Sequence, residues 1–138
     1  MAYVIDPSLA LAWVLPDEHN QNAIAVRQAI EDGDQAWIPA HGWLEIGNAL
    51  LMAERKGRIT PAQSDQALAL IDALPLEQDE ETAEHVSERT FALARKHRLT
   101  IYDAAYLELA QRRDATLATF DAQLLAAAAK EAGPTPRK

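Results

Sequence analysis

Tyr3-Val4-Ile5-Asp6-Pro7-Ser8 sets three strand-forming apolar residues directly against an acid, a proline and a serine. A helical pattern, Ser8-Leu9-Ala10-Leu11-Ala12-Trp13, begins at once. The stretch reads as a short buried strand ending on Asp6, with a helix leaving from it. Pro7 brings the fixed φ that suits a first helical position. A carboxylate at that junction lies at the carboxyl end of a strand, the edge at which open α/β sheets bind ligands.

Outward from Asp6, the pattern repeats. The first helix runs to about residue 15, where Pro16 stops it. Asp17 is positioned to cap a second helix over 18–31, and Asp32-Gly33-Asp34 turns the chain. A strand over 35–38 is closed by Pro39, and a helix over 41–56 is ended by Gly57. Thr60-Pro61-Ala62-Gln63 has the form of a capping box and starts a helix to about residue 74, where Pro75 breaks it. A very short strand around Leu76 follows. The acids Glu77, Asp79, Glu80, Glu81 and Glu84 suit the positive end of a helix over 81–96, which closes on Arg95-Lys96-His97-Arg98. A helix opening at Thr100 carries Tyr102, Ala105, Tyr106 and Leu109 at helical spacing to about Arg112. A strand over 115–119 and a helix over 122–132 complete one domain, leaving 133–138 as a polar, loose tail. Strands separated by helices imply a mainly parallel sheet with helices on both faces, an α/β three-layer sandwich.

Composition narrows the chemistry. The 138 residues fit one domain, and 49% apolar content supplies a core. No apolar run approaches the roughly 18 residues of a membrane span, and the N-terminus lacks the pattern of a signal peptide. The chain has no cysteine, which excludes disulfides, thiolate metal sites and a cysteine nucleophile, and suits the cytoplasm. A formal charge of −8 argues against broad nucleic-acid binding through phosphate neutralisation, yet leaves room for a substrate held through a bound cation. It also favours a basic partner.

Four carboxylates stand out. Asp6 and Asp121 follow strands, Asp103 opens the sixth helix, and Glu45 lies in the third, with Asn48 on the same face. Each has a plain reading: Asp6 and Asp121 as helix caps, Asp103 as part of a capping box with Thr100, Glu45 as a solvated helix residue. Together they read as a converging set. Such a set repels itself unless a hard divalent cation joins it. Between acids and a phosphate, such a cation polarises the phosphoryl group and activates a water, which points to metal-assisted phosphodiester hydrolysis.

The segments Val4-Ile5-Asp6-Pro7-Ser8, Glu45-Ile46-Gly47-Asn48, Tyr102-Asp103-Ala104-Ala105-Tyr106 and Thr119-Phe120-Asp121 occur in the order and approximate spacing of PIN-domain ribonucleases. Over nearly its full length the chain resembles a VapC-type toxin of a toxin–antitoxin pair. The resemblance implies a PIN-like sandwich and an endoribonuclease using Mg2+ or Mn2+. Asp6, Glu45, Asp103 and Asp121 match the family's metal-binding and catalytic acids, and Ser8, Asn48 and Thr119 its polar support positions. It also implies a cognate VapB-like antitoxin, an RNA substrate and a homodimer. Two departures are visible. Pro7 stands where a small residue is usual, and Pro134-Thr135-Pro136 stands in place of a final apolar strand, so the sheet edge is expected to be open or missing.

Other features point elsewhere less well. His19, His41, His85 and His97 lack metal-ligand spacing and read as surface or packing residues. No serine sits in a nucleophile elbow, and no glycine-rich phosphate loop is present. Trp13, Trp37 and Trp43 read as core or dimer contacts. Arg95, Lys96 and Arg98 read as a helix end satisfied by positive charge, with a phosphate contact as the alternative. Two other functions compete. A phosphoacceptor domain needs a lysine after a late strand, and none lies between Lys96 and Lys130. A catalytically inactive PIN-like protein-binding module has no need of an intact acidic set.

Overall fold

The computed structural model describes residues 1–132. Four short strands, β1 (Ala2–Ile5), β2 (Gln35–Ile38), β3 (Leu76–Gln78) and β4 (Thr116–Ala118), form one sheet in the order β3-β2-β1-β4. Every pairing is parallel, with Val4 opposite both Trp37 and Leu117. Seven α-helices connect or follow them: α1 (Pro7–Val14), α2 (Gln21–Glu31), α3 (Gly42–Arg55), α4 (Pro61–Asp72), α5 (Phe91–His97), α6 (Ile101–Arg112) and α7 (Ala122–Ala132).

The two-residue period of a strand sorts the core into layers. Ile5, Ala36, Ile38 and Ala118 join a cluster with Leu9 of α1, Ile30 of α2, Ile46 and Leu50 of α3 and Ile71 of α4. Val4, Trp37 and Leu117 point the other way, against Tyr106, Leu109 and Ala110 of α6. A third cluster, Leu93, Ala94, Ala104, Leu107 and Ala127, ties α5 and α7 to α6. From β1 the chain builds outward through β2 to β3, then returns to place β4 on the opposite side of β1. The carboxyl ends of β1 and β4 therefore flank the topological switch point, where such sheets open a crevice.

Local signals set most boundaries. Pro7 occupies the first turn of α1, and Asp6 caps it by accepting from Leu9 N. The Thr60–Gln63 capping box forms in both directions. Gly57 leaves α3 with φ +76°, a left-handed conformation that costs glycine little. At the other end of α3, a Cβ on Gly42 would stand 2.8 Å from Ile38 Cβ, so only glycine lets this helix start close against β2.

Three expectations are corrected. The second helix begins later, because Asn20 rather than Asp17 caps it, accepting from Asn22 N and Ala23 N. Asp17 instead receives a two-point bond from Arg58. The helix expected over 81–96 is divided into a 3₁₀ turn (Thr82–His85), a π-turn (Val86–Thr90) and α5. Thr90 Oγ1 donates to the carbonyl five residues back, on His85, which suits the wider π geometry. Finally, Asp79 is not part of a solvated acidic helix start. It is fully buried, held by Arg112, Arg113 and Thr82. The expected tail at 133–138 and the question of a strand at 134–136 lie outside the described residues. Among those residues β4 is an edge strand, and no helix is long and apolar enough to cross a membrane.

Candidate active site

Asp6 leaves the end of β1 only 3% exposed, between the switch-point strands. Its Oδ1 accepts from Leu9 N at 3.1 Å and from Ser8 Oγ at 2.6 Å, and its Oδ2 accepts from Thr119 Oγ1 at 2.5 Å. Those bonds take three of the roughly four acceptor directions a carboxylate offers, leaving one on Oδ2. Ser8 Oγ also receives Phe120 N at 2.9 Å, and Thr119 Oγ1 receives Asp121 N at 3.0 Å. The two hydroxyls thus stitch the end of β4 to the start of α1. Both hydroxyls hold the Asp6 carboxylate.

Asp121 caps α7 by accepting from Leu124 N at 2.9 Å through Oδ1, so its Oδ2 has no partner among the described residues. Asp103 sits in the first turn of α6. Thr100 Oγ1 accepts from Asp103 N, but the reciprocal half of a capping box is not formed. Its carboxylate is therefore not consumed by the cap. Glu45, in the first turn of α3, accepts the Tyr106 hydroxyl at 2.6 Å through Oε1. Asn48 lies almost one turn further along α3, exposed and without a side-chain hydrogen bond among the described residues.

Asp6 and Asp103 feel the charges of other acids in the set. Burial pushes the Asp6 carboxyl above its ordinary value, overcoming the bonds from Ser8, Thr119 and Leu9 N, and the Asp121 charge adds to the rise. Burial also raises Asp103, and the charges of Asp121, Glu45 and Asp6 raise it further. The Tyr106 phenol is driven far above its ordinary value by burial and by its bond to Glu45, with Asp6 and Asp103 contributing. The arginines and lysines that form ion pairs serve other acids: Arg58 serves Asp17, Arg89 and Lys96 serve Glu131, Arg112 and Arg113 serve Asp79.

This donor set fits a hard divalent cation. It offers carboxylate oxygens with open acceptor directions and negative charge that no arginine or lysine among the described residues pairs with. The side chains as they stand do not form a closed cage, for no three His, Asp or Glu side chains among the described residues are grouped to hold an ion. The sequence reading gathers all four acids around one ion, and Asp6 and Asp103 do lie within electrostatic reach of others in the set. The tight convergence it anticipated is not what the described side chains adopt.

Two cleft residues escaped the sequence reading. Tyr106 was read only as an apolar helix position, yet its hydroxyl anchors Glu45 from 61 positions away. His41, read as surface or packing, places Nε2 3.5 Å from Glu45 Oε1 and 3.1 Å from the Tyr102 carbonyl. Its ring lies edge-on to both Tyr102 and Tyr106. The available signal was its position four residues before Glu45 on the same helix face. The basic group at the end of α5 follows its structural reading in part. Lys96 pairs with Glu131 at 2.9 Å, His97 bonds the same carboxylate at 2.6 Å, and Arg95 lies over the Phe91 ring.

A parallel α/β sandwich with uncompensated carboxylates at its switch point defines a class, and the sequence then narrows it to a family. A family model for the PIN domain matches residues 3–130, and the chain belongs to that family. It is similar to Ribonuclease VapC3 of Pyrobaculum aerophilum, with 28% identity over 124 residues, covering 90% of this chain and 92% of the relative. The crystal structure of PAE2754 from Pyrobaculum aerophilum matches with TM-score 0.67 and 25% identity, covering 92% of this chain and 84% of that one. The structure of VapBC2 from Rickettsia felis, bound to a DNA fragment from their promoter, has TM-score 0.65 at 15% identity. It covers 91% of this chain and 92% of its own, and the likeness is one of fold.

Proposed function

We propose that the protein is a Mg2+- or Mn2+-dependent endoribonuclease toxin that hydrolyses RNA phosphodiester bonds and is silenced by a cognate VapB-like antitoxin. The observation that carries this reading is the placement of Asp6, Asp103, Asp121 and Glu45 at the carboxyl edge of the sheet, none of them ion-paired with an arginine or lysine among the described residues. Full-length similarity to a protein named as a ribonuclease supports it.

Asp6, Asp103 and Asp121 would hold the cation, with Glu45 as a further ligand or as the group that orients the attacking water. A bound divalent ion supplies charge stabilisation at the phosphoryl group and lowers the pKa of a coordinated water. The protein's own part is positioning. Ser8, Thr119 and Leu9 N lock Asp6 into one rotamer, with one acceptor direction left open. Tyr106 fixes Glu45 Oε1, leaving Oε2 to accept a proton from water. Asn48 is assigned a water-holding place beside Glu45.

The partners follow from charge and from the family likeness. An acidic cleft without a cation of its own is matched by an arginine-bearing antitoxin segment, which competes with the metal. If co-purified antitoxin left both metal affinity and RNA cleavage unchanged, that part of the reading would fall. The toxin role places the protein in the cytoplasm as a homodimer acting on cellular RNA. Asp6→Asn and Asp103→Asn are expected to fold, yet to lose metal-dependent RNA cleavage and growth arrest on expression. Full activity in either variant contradicts the assignment.

A further inference from the structure

The cleft presents a problem of affinity. A protein of charge −8 must hold a polyanion at a site where none of the ion-paired arginines or lysines serves a cleft acid. Phosphate neutralisation, the usual source of nucleic-acid affinity, is opposed here by the net negative charge. The other general source is stacking of bases on aromatic rings, which works for unpaired bases of any sequence.

The rings available for this are specific. Trp13 and Trp43 pack on the large core, and Trp37 packs against the α6 side beneath the Arg113 guanidinium. Tyr102 and Phe120, by contrast, are 62% and 38% exposed. Each immediately precedes a cleft acid, Asp103 and Asp121. Tyr102 borders an apolar hollow of about 300 Å3 with Ala40, His41, Leu44 and Ile101. Phe120 borders a separate hollow of about 340 Å3 with Ala12, His19 and Asn20. The strand order places them. Ala40 and His41 follow β2, Asp6 follows β1 and Phe120 follows β4, and β1 lies between β2 and β4. The two hollows thus stand on opposite sides of Asp6. The Tyr102 ring is also held in place, with its centroid 5.7 Å from the edge-on His41 ring.

We infer that Tyr102 and Phe120 are base-stacking platforms that hold two unpaired bases of single-stranded RNA, one on each side of the scissile phosphate. This rests on the ribonuclease reading for the phosphate between them, but not for the stacking itself. A cation held by the acids would offset the charge of the central phosphate, while the flanking rings supply the remaining affinity and set the register. Substrates that keep those two bases paired in a duplex are excluded.

The test uses the full chain and a short single-stranded oligoribonucleotide containing 2-aminopurine, whose fluorescence is quenched by stacking. Binding is read with Ca2+, and cleavage separately with Mg2+ or Mn2+. Tyr102→Leu and Phe120→Leu are each expected to raise Kd and KM about tenfold, with loss of quenching and kcat within about twofold. Tyr102→Phe is expected to restore binding and quenching. For wild type, log K against log salt is expected to have a slope no steeper than about −1.5, equivalent to about two neutralised phosphates. Unchanged Kd, KM and quenching in both leucine variants, with wild type still cleaving, would overturn the platforms and leave the nuclease reading intact. Quenched binding without cleavage would uphold the platforms and end the nuclease reading. Loss of affinity only for a co-expressed protein partner, with RNA constants unchanged, would assign the Tyr102 hollow to that partner and overturn the proposal. Circular dichroism of each variant checks folding, and the Tyr102→Phe comparison remains decisive if a leucine variant is unstable.

Discussion

Asp79 and Asp6 stand in equivalent places, each just past the carboxyl end of a parallel strand, yet the protein treats them in opposite ways. Asp79 follows β3 and is fully buried, with Arg112 on both carboxylate oxygens at 2.9 and 2.7 Å, Arg113 at 3.2 Å and Thr82 at 2.7 Å. Despite its burial, those partners hold its carboxyl far below the ordinary range. Asp6 follows β1 and is nearly as buried, and that burial raises its carboxyl because its hydroxyl and amide donors do not outweigh it. The contrast separates structure from function. A buried acid whose counter-charge is built into the chain is a fastening. A buried acid without one is a place for a charge brought from outside.

The contrast is broken most severely at the fastening. Arg112→Leu would leave Asp79 and Glu108, both buried, without their shared guanidinium. The expected loss is about 3–5 kcal/mol in chemical denaturation. A loss under about 1 kcal/mol would mean that the clamp is not what secures β3 to α6.

At the open site, Thr119→Val removes the donor to Asp6 Oδ2 and the acceptor of the Asp121 N–H. A hydrogen bond to a charged group is worth about 1.5–3 kcal/mol, and a smaller stability loss than at Arg112 is expected. Since the Thr119 bond lowers the Asp6 pKa, its removal raises that pKa further. The acid limb of the activity profile is expected to move to higher pH. A limb that stays in place would detach Asp6 protonation from activity.

A milder comparison uses Glu131, which joins α7 to Lys96, His97 and Gln111. Its carboxyl is pulled down to about 2 from 4.5, first by Lys96 and His97. A depressed carboxyl contributes stability that is present above its unfolded pKa and is lost as pH falls through the folded one. Stability is therefore expected to decline between about pH 4.5 and 2. Glu131→Gln is expected to flatten that part of the curve, as followed by thermal unfolding at stepped pH.

Much of this was legible locally. Asp6-Pro7 announces a strand end, a cap and a helix start within two residues, and Thr60-Pro61-Ala62-Gln63 carries its capping box in sequence. Asp6, Asp103 and Asp121 stand out in the sequence because each lies at a helix start, whereas Glu45 lies within α3. What could not be read depends on distant partners. Asp79 turns inward because Arg112 stands 33 positions away, and Glu45 is fixed by Tyr106 at a separation of 61. Composition alone makes Asp79 one more acid in an acidic stretch. The π-turn is accompanied by a bond from the Thr90 hydroxyl to the His85 carbonyl, which a helical period does not register. The start of α2 was misplaced because two residues, Asp17 and Asn20, can both cap, and Arg58 claims the first.

The central claim is that the raised carboxyls of Asp6 and Asp103 mark a seat for a divalent cation. Without the ion, a raised carboxyl favours the protonated form in the folded state, so stability falls as pH rises through its folded pKa. A bound ion reverses that cost by mass action. The most direct measurement is thermal unfolding at neutral pH against Mn2+ concentration, for wild type and Asp103→Asn. The account predicts that wild type rises with Mn2+, whereas Asp103→Asn is at least as stable without metal and gains little from it. Equal gains in the two proteins, or no gain in wild type, would contradict it.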